Sequence, residues 1–411
     1  MKKVAVIGAG ISGLSIAHCL KDRYQVKLFE TASQPGGLIK CERVNGNLYH
    51  IVGGHVFNSK RQEVLDWFWS FFDRENEFVK ANRNATVFLD KPIGYPIENH
   101  IYEMNGDLQE KIIADLISIA KNEQVTPPNF EEFLKLRFGN TLYDIYFKPY
   151  NEKIWKQDLS EIPLGWLEGK LPMPSVEEII FNNFSKEEET KMVHSSFYYA
   201  KTNGSQFLAD RLAENVEVVY NAEIKNINKN KDNTKWVVNE EDFDLIVYTG
   251  NVKVLPDIFS TDSILKFKPE LENLVYHGTT SVLCEIEKNP YSWIYMPDKK
   301  HHSHRIICTG NFADSNNATD RATGTIEFTD YVDKATILNN LRQIPYSPRY
   351  IEHRYTEYTY PVQTADTRIT IQKLKEQLEI QGIYLLGRFA EWEYYNMDAA
   401  MGAAIDLSKR I

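Results

Sequence analysis

The stretch Lys3-Val4-Ala5-Val6-Ile7-Gly8-Ala9-Gly10-Ile11-Ser12-Gly13 decides the fold. Val4 to Ile7 is a short apolar run of the kind that forms a buried parallel strand, and the three glycines follow it at G-x-G-x-x-G spacing. Apolar residues then recur at helical spacing to about Leu20. A second strand, Gln25 to Phe29, ends on Glu30, 17 positions after Gly13. Strand, glycine turn, helix, strand and acid, in that order, read as a nucleotide-binding βαβ unit. Gly8 permits the tight turn, Gly10 lets the backbone approach a pyrophosphate at the helix N-terminus, and Gly13 lets helix and strand pack closely. Gly8, Gly10, Ile11, Ser12 and Gly13 are therefore candidate phosphate-binding residues. Glu30 is the candidate acceptor for ribose hydroxyls. The motif predicts a bound dinucleotide and does not by itself separate NAD from FAD.

Working outward, a helix-like stretch covers Gln62 to Phe72. Helical spacing runs from Leu108 to about Leu136, broken at Pro127-Pro128, and again from Thr141 to Trp155. Short strand patterns follow at Glu217 to Val219, Glu223-Ile224, Lys235 to Val238 and Leu245 to Tyr248, with the polar turn Lys229 to Asn233 as a hairpin connection. Thr279 to Glu285, Ser292 to Met296, Arg305 to Thr309, Gly324 to Thr329 and His353 to Thr359 predict an antiparallel sheet. The chain then returns to a strand at Ile383 to Leu386, the turn Gly387-Arg388 and a helix from about Asp398. The expected fold class is α/β: a Rossmann-like nucleotide domain with a helical insertion and an antiparallel sheet domain. The expected divisions are 1–80 with 204–260 and 375–411 for the nucleotide domain, 100–185 for the helical substrate domain, and 81–99, 186–203 and 261–374 for the sheet domain.

Composition narrows the function. With 411 residues, 43% of them hydrophobic, the chain can bury a large core without staples. Its four cysteines are far apart and form no C-x-x-C pair, so they read as buried thiols rather than as a zinc or redox site. No apolar run approaches the roughly 20 residues that cross a bilayer. The net charge of −10 disfavours general affinity for nucleic acid or anionic membrane. The residues before the first strand leave no room for a signal peptide, which gives the expectation of a cytoplasmic protein. The expected partner is a small molecule, drawn in locally by a few arginines and by some of the 23 tyrosines.

Six residues past Glu30 stands Gly36-Gly37, followed by Leu38, a spacing that resembles the extended FAD signature of proteins related to amine oxidases. Four further stretches resemble UDP-galactopyranose mutase: Gly53-Gly54-His55-Val56-Phe57, Tyr150-Asn151-Glu152-Lys153-Ile154-Trp155, Ile246-Val247-Tyr248-Thr249-Gly250, and Gly387-Arg388-Phe389-Ala390 with Tyr394-Tyr395-Asn396-Met397. The resemblance implies FAD, active in its reduced form, held by the fingerprint residues together with Gly36, Gly37, Leu38, Gly53, Gly54, His55, Val218, Gly250, Gly387, Arg388, Asn396 and Met397. It implies interconversion of the pyranose and furanose forms of a nucleotide sugar through a reduced-flavin N5–sugar adduct, without net oxidation. Such an isomerase would serve cell-wall polysaccharide synthesis. Bacterial relatives are commonly homodimers.

The same resemblance implies roles for single residues. Arg305 matches an arginine that touches the substrate diphosphate beside the flavin, and with His55 it is the catalytic candidate. Tyr150 and Trp155 hold the base, while Tyr199, Tyr360, Tyr394 and Asn396 complete the substrate set. Two positions depart from the family pattern: Pro174 stands where a second diphosphate-binding arginine is expected, and Asn396 replaces an aspartate. They leave the sugar and its nucleotide open. His301, His302 and His304 read as an exposed turn, and no metal is expected. The competing reading is a flavin-dependent oxidase or desaturase of the amine oxidase or protoporphyrinogen oxidase type. A third is a non-catalytic flavoprotein that only binds a nucleotide sugar.

Overall fold

A computed structural model describes residues 1–121, 126–162, 164, 174–186, 195–259, 261–364 and 366–411. The expected βαβ unit is present. Strand Lys3–Ile7 leads into helix Ile11–Leu20 and returns as strand Gln25–Phe29, alongside the first in parallel register with Ile7 opposite Phe29. Three more parallel strands complete this sheet: Leu245–Tyr248 and Ile383–Leu385 on one side, and Glu217–Val219 on the other. The strand order reverses direction at Lys3–Ile7, which opens a crevice at the carboxyl ends of the strands.

The glycine spacing has a steric cause. A Cβ on Gly13 would sit 1.9 Å from the Gly8 carbonyl oxygen, so helix and strand touch backbone to backbone. Helix Met397–Arg410 packs beside Ile11–Leu20. Arg23, just past the end of the first helix, donates to the Ile411 carbonyl at 2.9 Å and to that of Ser408. The two helices therefore run in the same direction and point their N-termini at the same crevice.

A second sheet of seven strands takes the order Arg349–Pro361, Tyr276–Ile286, Ala322–Thr329, Arg305–Ile307, Trp293–Tyr295, Ala85–Phe88 and Pro92–Gly94. Its pairings are antiparallel, as the alternating patterns predict, except where Trp293–Tyr295 meets Ala85–Phe88 in parallel. Strand Ala322–Thr329 is buried at every position, because side chains on both its faces are covered.

Helices Gly106–Lys121 and Phe130–Leu142, a π-helical turn Tyr143–Phe147 and helix Lys148–Trp155 lie against this sheet. One buried cluster joins Phe130, Leu134 and Phe138 to Trp293 and Tyr295. No helix among the described residues is long and apolar enough to cross a membrane.

Two expectations need correction. Glu223-Ile224 is not a strand. The chain there is held to the loop after Glu30 by Asn221 N–H to Ala32 (3.0 Å) and Ala222 N–H to Glu30 (2.9 Å), and the hairpin strand forms instead at Ile227–Lys229, opposite Trp236–Val238. The helix from Gln62 ends at Trp69 rather than Phe72. Lys170, Leu171, Pro172, Met173 and Glu187 to Glu189 lie outside the described residues.

Candidate functional site: a backbone crevice beside an aromatic cavity

The crevice is lined by main chain. Gly10 at the start of helix Ile11–Leu20 and Asn396 at the start of Met397–Arg410 give no side-chain hydrogen bond to the helix N–H groups behind them. The N-terminus of Ile11–Leu20 keeps its donors and positive dipole end for an anion, whereas the first turn of Met397–Arg410 carries the Asp398 carboxyl beside the Ala399 N–H. Gly37 faces Gly10 so closely that a Cβ on Gly37 would lie 3.2 Å from the Gly10 Cα.

The Glu30 carboxylate accepts from Ala9 N–H at 2.8 Å and Ala32 N–H at 2.9 Å, which fixes it at the strand end with a lone pair left on each oxygen. Val218 lies opposite Leu28 on the neighbouring strand. Ser12 is packed against the Gly387 turn: a Cβ on that glycine would meet Ser12 Oγ at 2.6 Å. Gly250 follows Thr249, whose hydroxyl donates to the Ile7 carbonyl at 2.7 Å. Leu38 and His55 meet through a 3.0 Å contact between the Leu38 carbonyl and His55 Nε2, which therefore carries the proton. Burial, aided by the charge of Arg388, pulls His55 down to about 4, so it is neutral at pH 7.

This geometry fits a dinucleotide with a long reach: a glycine-lined pyrophosphate seat, a ribose acceptor, and a path by way of Leu38 and His55 toward the second sheet.

The cavity adjoins the crevice. It measures about 320 Å³ and lies between the helical segment and the seven-stranded sheet. Phe130, Leu134, Phe138, Tyr146 and Phe147 form an apolar end, where the π-helical turn directs its rings inward. Tyr150, Trp155, Arg305, Tyr360 and Tyr394 also line it, so five of the residues singled out in the sequence meet in one place.

Tyr360 and Tyr394 stack with ring centroids 5.8 Å apart and planes 12° from parallel. The Arg388 guanidinium lies 5.1 Å from the Tyr394 ring centre and donates to the Thr359 carbonyl at 3.0 Å. Arg388 follows a strand of the parallel sheet and Tyr360 belongs to the antiparallel one, so this stack closes the seam between crevice and cavity.

Arg305 is held by a partner that the sequence reading did not single out. Its Nε forms an ion pair with Glu327, a carboxylate only 1% exposed, and its Nη2 donates to the Tyr360 hydroxyl at 3.1 Å. Burial opposes the charge on Glu327, but Arg305 and His304 outweigh it and hold the carboxyl at about 2. The pair cancels part of the positive charge and fixes the guanidinium plane. Because Tyr360 accepts from Arg305, its own proton remains for a ligand. Burial raises that hydroxyl to about 12, so it stays a donor.

Other sequence candidates land elsewhere. Tyr199 is 2% exposed and outside the cavity: its hydroxyl lies 2.7 Å from His50 Nε2 and accepts from Asn316 at 2.9 Å, so it is a core tyrosine rather than a diphosphate contact. Asn396 is exposed at the helix start and does not line the cavity. The expected exposed turn of histidines is a mixture. His302 is exposed, but His301 (4%) and His304 (5%) are buried, the latter lining the cavity 3.6 Å from Glu327, because the turn folds under helix Lys148–Trp155. Pro174 offers only its carbonyl, which accepts from Arg137 at 3.2 Å.

Comparisons with known proteins bear on the fold and its relatives. Residues 6–74 match the NAD(P)-binding Rossmann-like domain. A dTDP-fucopyranose mutase of Escherichia coli is 29% identical over 186 residues, which are 42% of this chain and 46% of that protein, so the match spans about half the length of that relative. A UDP-galactopyranose mutase of Mycoplasma genitalium is 20% identical over 438 residues, covering 99% of this chain and 94% of that one. A crystal structure of reduced UDP-galactopyranose mutase superposes with a TM-score of 0.87 at 21% identity, covering 100% of this chain and 95% of the other. The chain is thus similar in sequence to UDP-galactopyranose and dTDP-fucopyranose mutases and shares the fold of a UDP-galactopyranose mutase.

Proposed function

We propose that the protein is an FAD-dependent isomerase that interconverts the pyranose and furanose forms of a nucleotide sugar, UDP-galactose or a close relative. The observation that carries this reading is the meeting of Arg305, Tyr360 and Tyr394 with Tyr150 and Trp155 in one cavity that abuts the dinucleotide crevice. A diphosphate needs fixed N–H and O–H donors, and a base needs flat apolar faces. The cavity has both, one kind near each end.

FAD would be held by the glycine seat at Gly8, Gly10 and Gly37, by Glu30 and by the N-terminus of helix Ile11–Leu20, with Leu38, His55 and Arg388 toward the seam. When bound and reduced, it supplies an electron-rich centre for the anomeric carbon, which lets the sugar ring open without net oxidation. The rest falls to the chain. Arg305, oriented by Glu327, stabilises the charge that gathers on the departing diphosphate. The Tyr360 hydroxyl donates a second hydrogen bond to it. Tyr150 and Trp155 keep the nucleotide in place, so the diphosphate returns to the same sugar rather than escaping. The aromatic walls exclude water that would otherwise capture an activated sugar.

The oxidase reading is weaker because a charged guanidinium and a ring of hydroxyls suit a departing anion rather than a hydride donor. The test is to incubate dithionite-reduced protein with UDP-galactofuranose, dTDP-fucofuranose and related nucleotide sugars and separate the products by chromatography. Ring-expanded product with no oxygen consumed is expected. Peroxide formation with a bleached flavin, and no isomer, would reverse the choice.

A further inference from the structure

Helix Lys148–Trp155 carries Tyr150 and Trp155 and forms the end of the helical run that begins at Phe130, with Tyr150 packed in the buried cluster. It is eight residues long, and only Pro149 and Tyr150 are fully buried. A helix this short takes its position from tertiary ties rather than from its own propensity.

Two ties reach below the surface, besides an exposed ion pair of Glu152 with Lys299 at 3.0 Å. Lys153 Nζ donates to the main-chain carbonyls of Met296 (2.8 Å), Asp298 (2.6 Å) and Ser303 (3.1 Å) and lies 3.3 Å from His301 Nδ1. These carbonyls belong to the turn between strands Trp293–Tyr295 and Arg305–Ile307, so the turn that Lys153 gathers leads directly into Arg305. At the helix end, the Trp155 carbonyl lies 2.9 Å from His277 Nε2, while His277 Nδ1 lies 3.2 Å from both oxygens of Asp330. Asp330 is fixed in turn by accepting from Gly278 N–H at 3.0 Å. His277 lies near the start of the long strand Tyr276–Ile286, which strand Ala322–Thr329 separates from Arg305–Ile307, the strand that follows the turn held by Lys153.

We infer that Lys153 and His277 are positioning residues, a two-point clamp that fixes helix Lys148–Trp155 to the antiparallel sheet and so sets Tyr150 and Trp155 at their working distance from Arg305. One tie alone leaves the C-terminal end of the helical run less restrained than two. The role rests on the nucleotide-sugar reading above, since Tyr150 and Trp155 are taken there as the base-holding faces. Neither Lys153 nor His277 reacts: each acts through the helix it holds.

The test uses the full chain with FAD bound and two measurements. Hydrogen exchange by mass spectrometry reads the amides of residues 150–156, and calorimetry reads the dissociation constants of UDP and dTDP. Lys153→Met and His277→Leu are each expected to speed exchange in that segment at least tenfold and to weaken whichever nucleotide binds at least fivefold. Exchange in strand Lys3–Ile7 should not change. His277→Gln, whose amide can still donate to the Trp155 carbonyl, should stay within twofold of the unaltered protein on both measures. Unchanged exchange in both disruptive variants overturns the clamp. So does faster exchange with nucleotide affinity intact, because the helix would then be tied but not positioned for a ligand. If the unaltered protein binds neither UDP nor dTDP, the proposed function fails. Exchange alone then decides whether the two ties hold the helix.

Discussion

The crevice and the cavity adjoin but are built from different materials. The crevice presents main chain: glycine backbone, a helix N-terminus and a carboxylate pinned by Ala9 and Ala32 N–H groups. The cavity presents side chains, and its central arginine keeps its orientation only because a buried carboxylate and a tyrosine hydroxyl hold it. A backbone site tolerates change in side chains that do not crowd it, but it cannot accept an added Cβ. A side-chain site can lose an atom without a clash, yet each loss strands the partner left behind.

The largest expected effect tests the second half of that contrast. Arg305→Ala leaves buried Glu327 with only His304, 3.6 Å away, beside it, which costs about 3 kcal/mol of stability. Denaturant unfolding should show this loss, and adding Glu327→Gln should recover much of it while isomerase activity stays absent. If the single and double variants are equally stable, the ion pair does not hold the cavity together.

Next in size is a pH effect from two depressed histidines. Burial lowers His50 to about 3 and His55 to about 4, both from 6.5. A histidine depressed in the folded state contributes fully above its unfolded value, and that contribution is lost as pH falls from 6.5 toward the folded value. In that window the unfolded chain binds the extra protons, so the loss is on the order of 1.4 kcal/mol per pH unit for each such histidine. Melting temperature should fall from pH 6.5 to 4.5, and His50→Phe should flatten that slope. An equal slope in the variant would remove His50 from the account.

The backbone half is tested by Gly13→Ala. Its Cβ would lie 1.9 Å from the Gly8 carbonyl, so the helix must shift, at about 1–3 kcal/mol for overpacking. The protein should purify with little flavin absorbance near 450 nm although its cavity is untouched. Full flavin content would show that the crevice can yield. The smallest effect is Tyr360→Phe, which removes a donor to the ligand worth about 0.5–1.5 kcal/mol and one acceptor of the Arg305 guanidinium. Nucleotide affinity should fall about three- to tenfold with flavin content unchanged, and a flavin loss of similar size would mean the two regions are not separable.

The same contrast explains what could be read from the sequence. The βαβ unit lies within thirty consecutive residues, so strand, turn, helix and acid appear in order. Tyr150 and Trp155 were legible through the resemblance of Tyr150-Asn151-Glu152-Lys153-Ile154-Trp155 to a mutase segment, since their i, i+5 spacing gives only rough same-side placement. Glu327 was not: in Gly324-Thr325-Ile326-Glu327-Phe328-Thr329 it alternates with apolar residues and looks like the solvent side of a strand, whereas the sheet buries both faces there. His304 was hidden in the same way, since a histidine-rich turn looks exposed until a helix is seen to cover it. Tyr199 went wrong in the other direction. Its motif neighbours suggested a ligand contact, but all of Phe197 to Ala200 is buried and its hydroxyl is consumed by His50 and Asn316. The hairpin was misplaced by a few residues because Asn221 and Ala222 are tied to the loop after Glu30, which no local pattern announces.

The parallel sheet has a consequence for how the protein comes into being. Lys3 N–H donates to the carboxylate of Asp244, 241 residues away, at the start of the strand beside it. At synthesis rates of about 5–20 residues per second, the first strand therefore waits roughly 12–50 s with one edge open. Pairing over such a separation is slow, and an open edge invites other strands. The crevice whose pattern is complete by residue 30 can be finished only after strands Leu245–Tyr248 and Ile383–Leu385 have arrived. Cofactor capture is thus a late event in folding, and flavin retained by a newly made chain reports that its most distant segments have found one another.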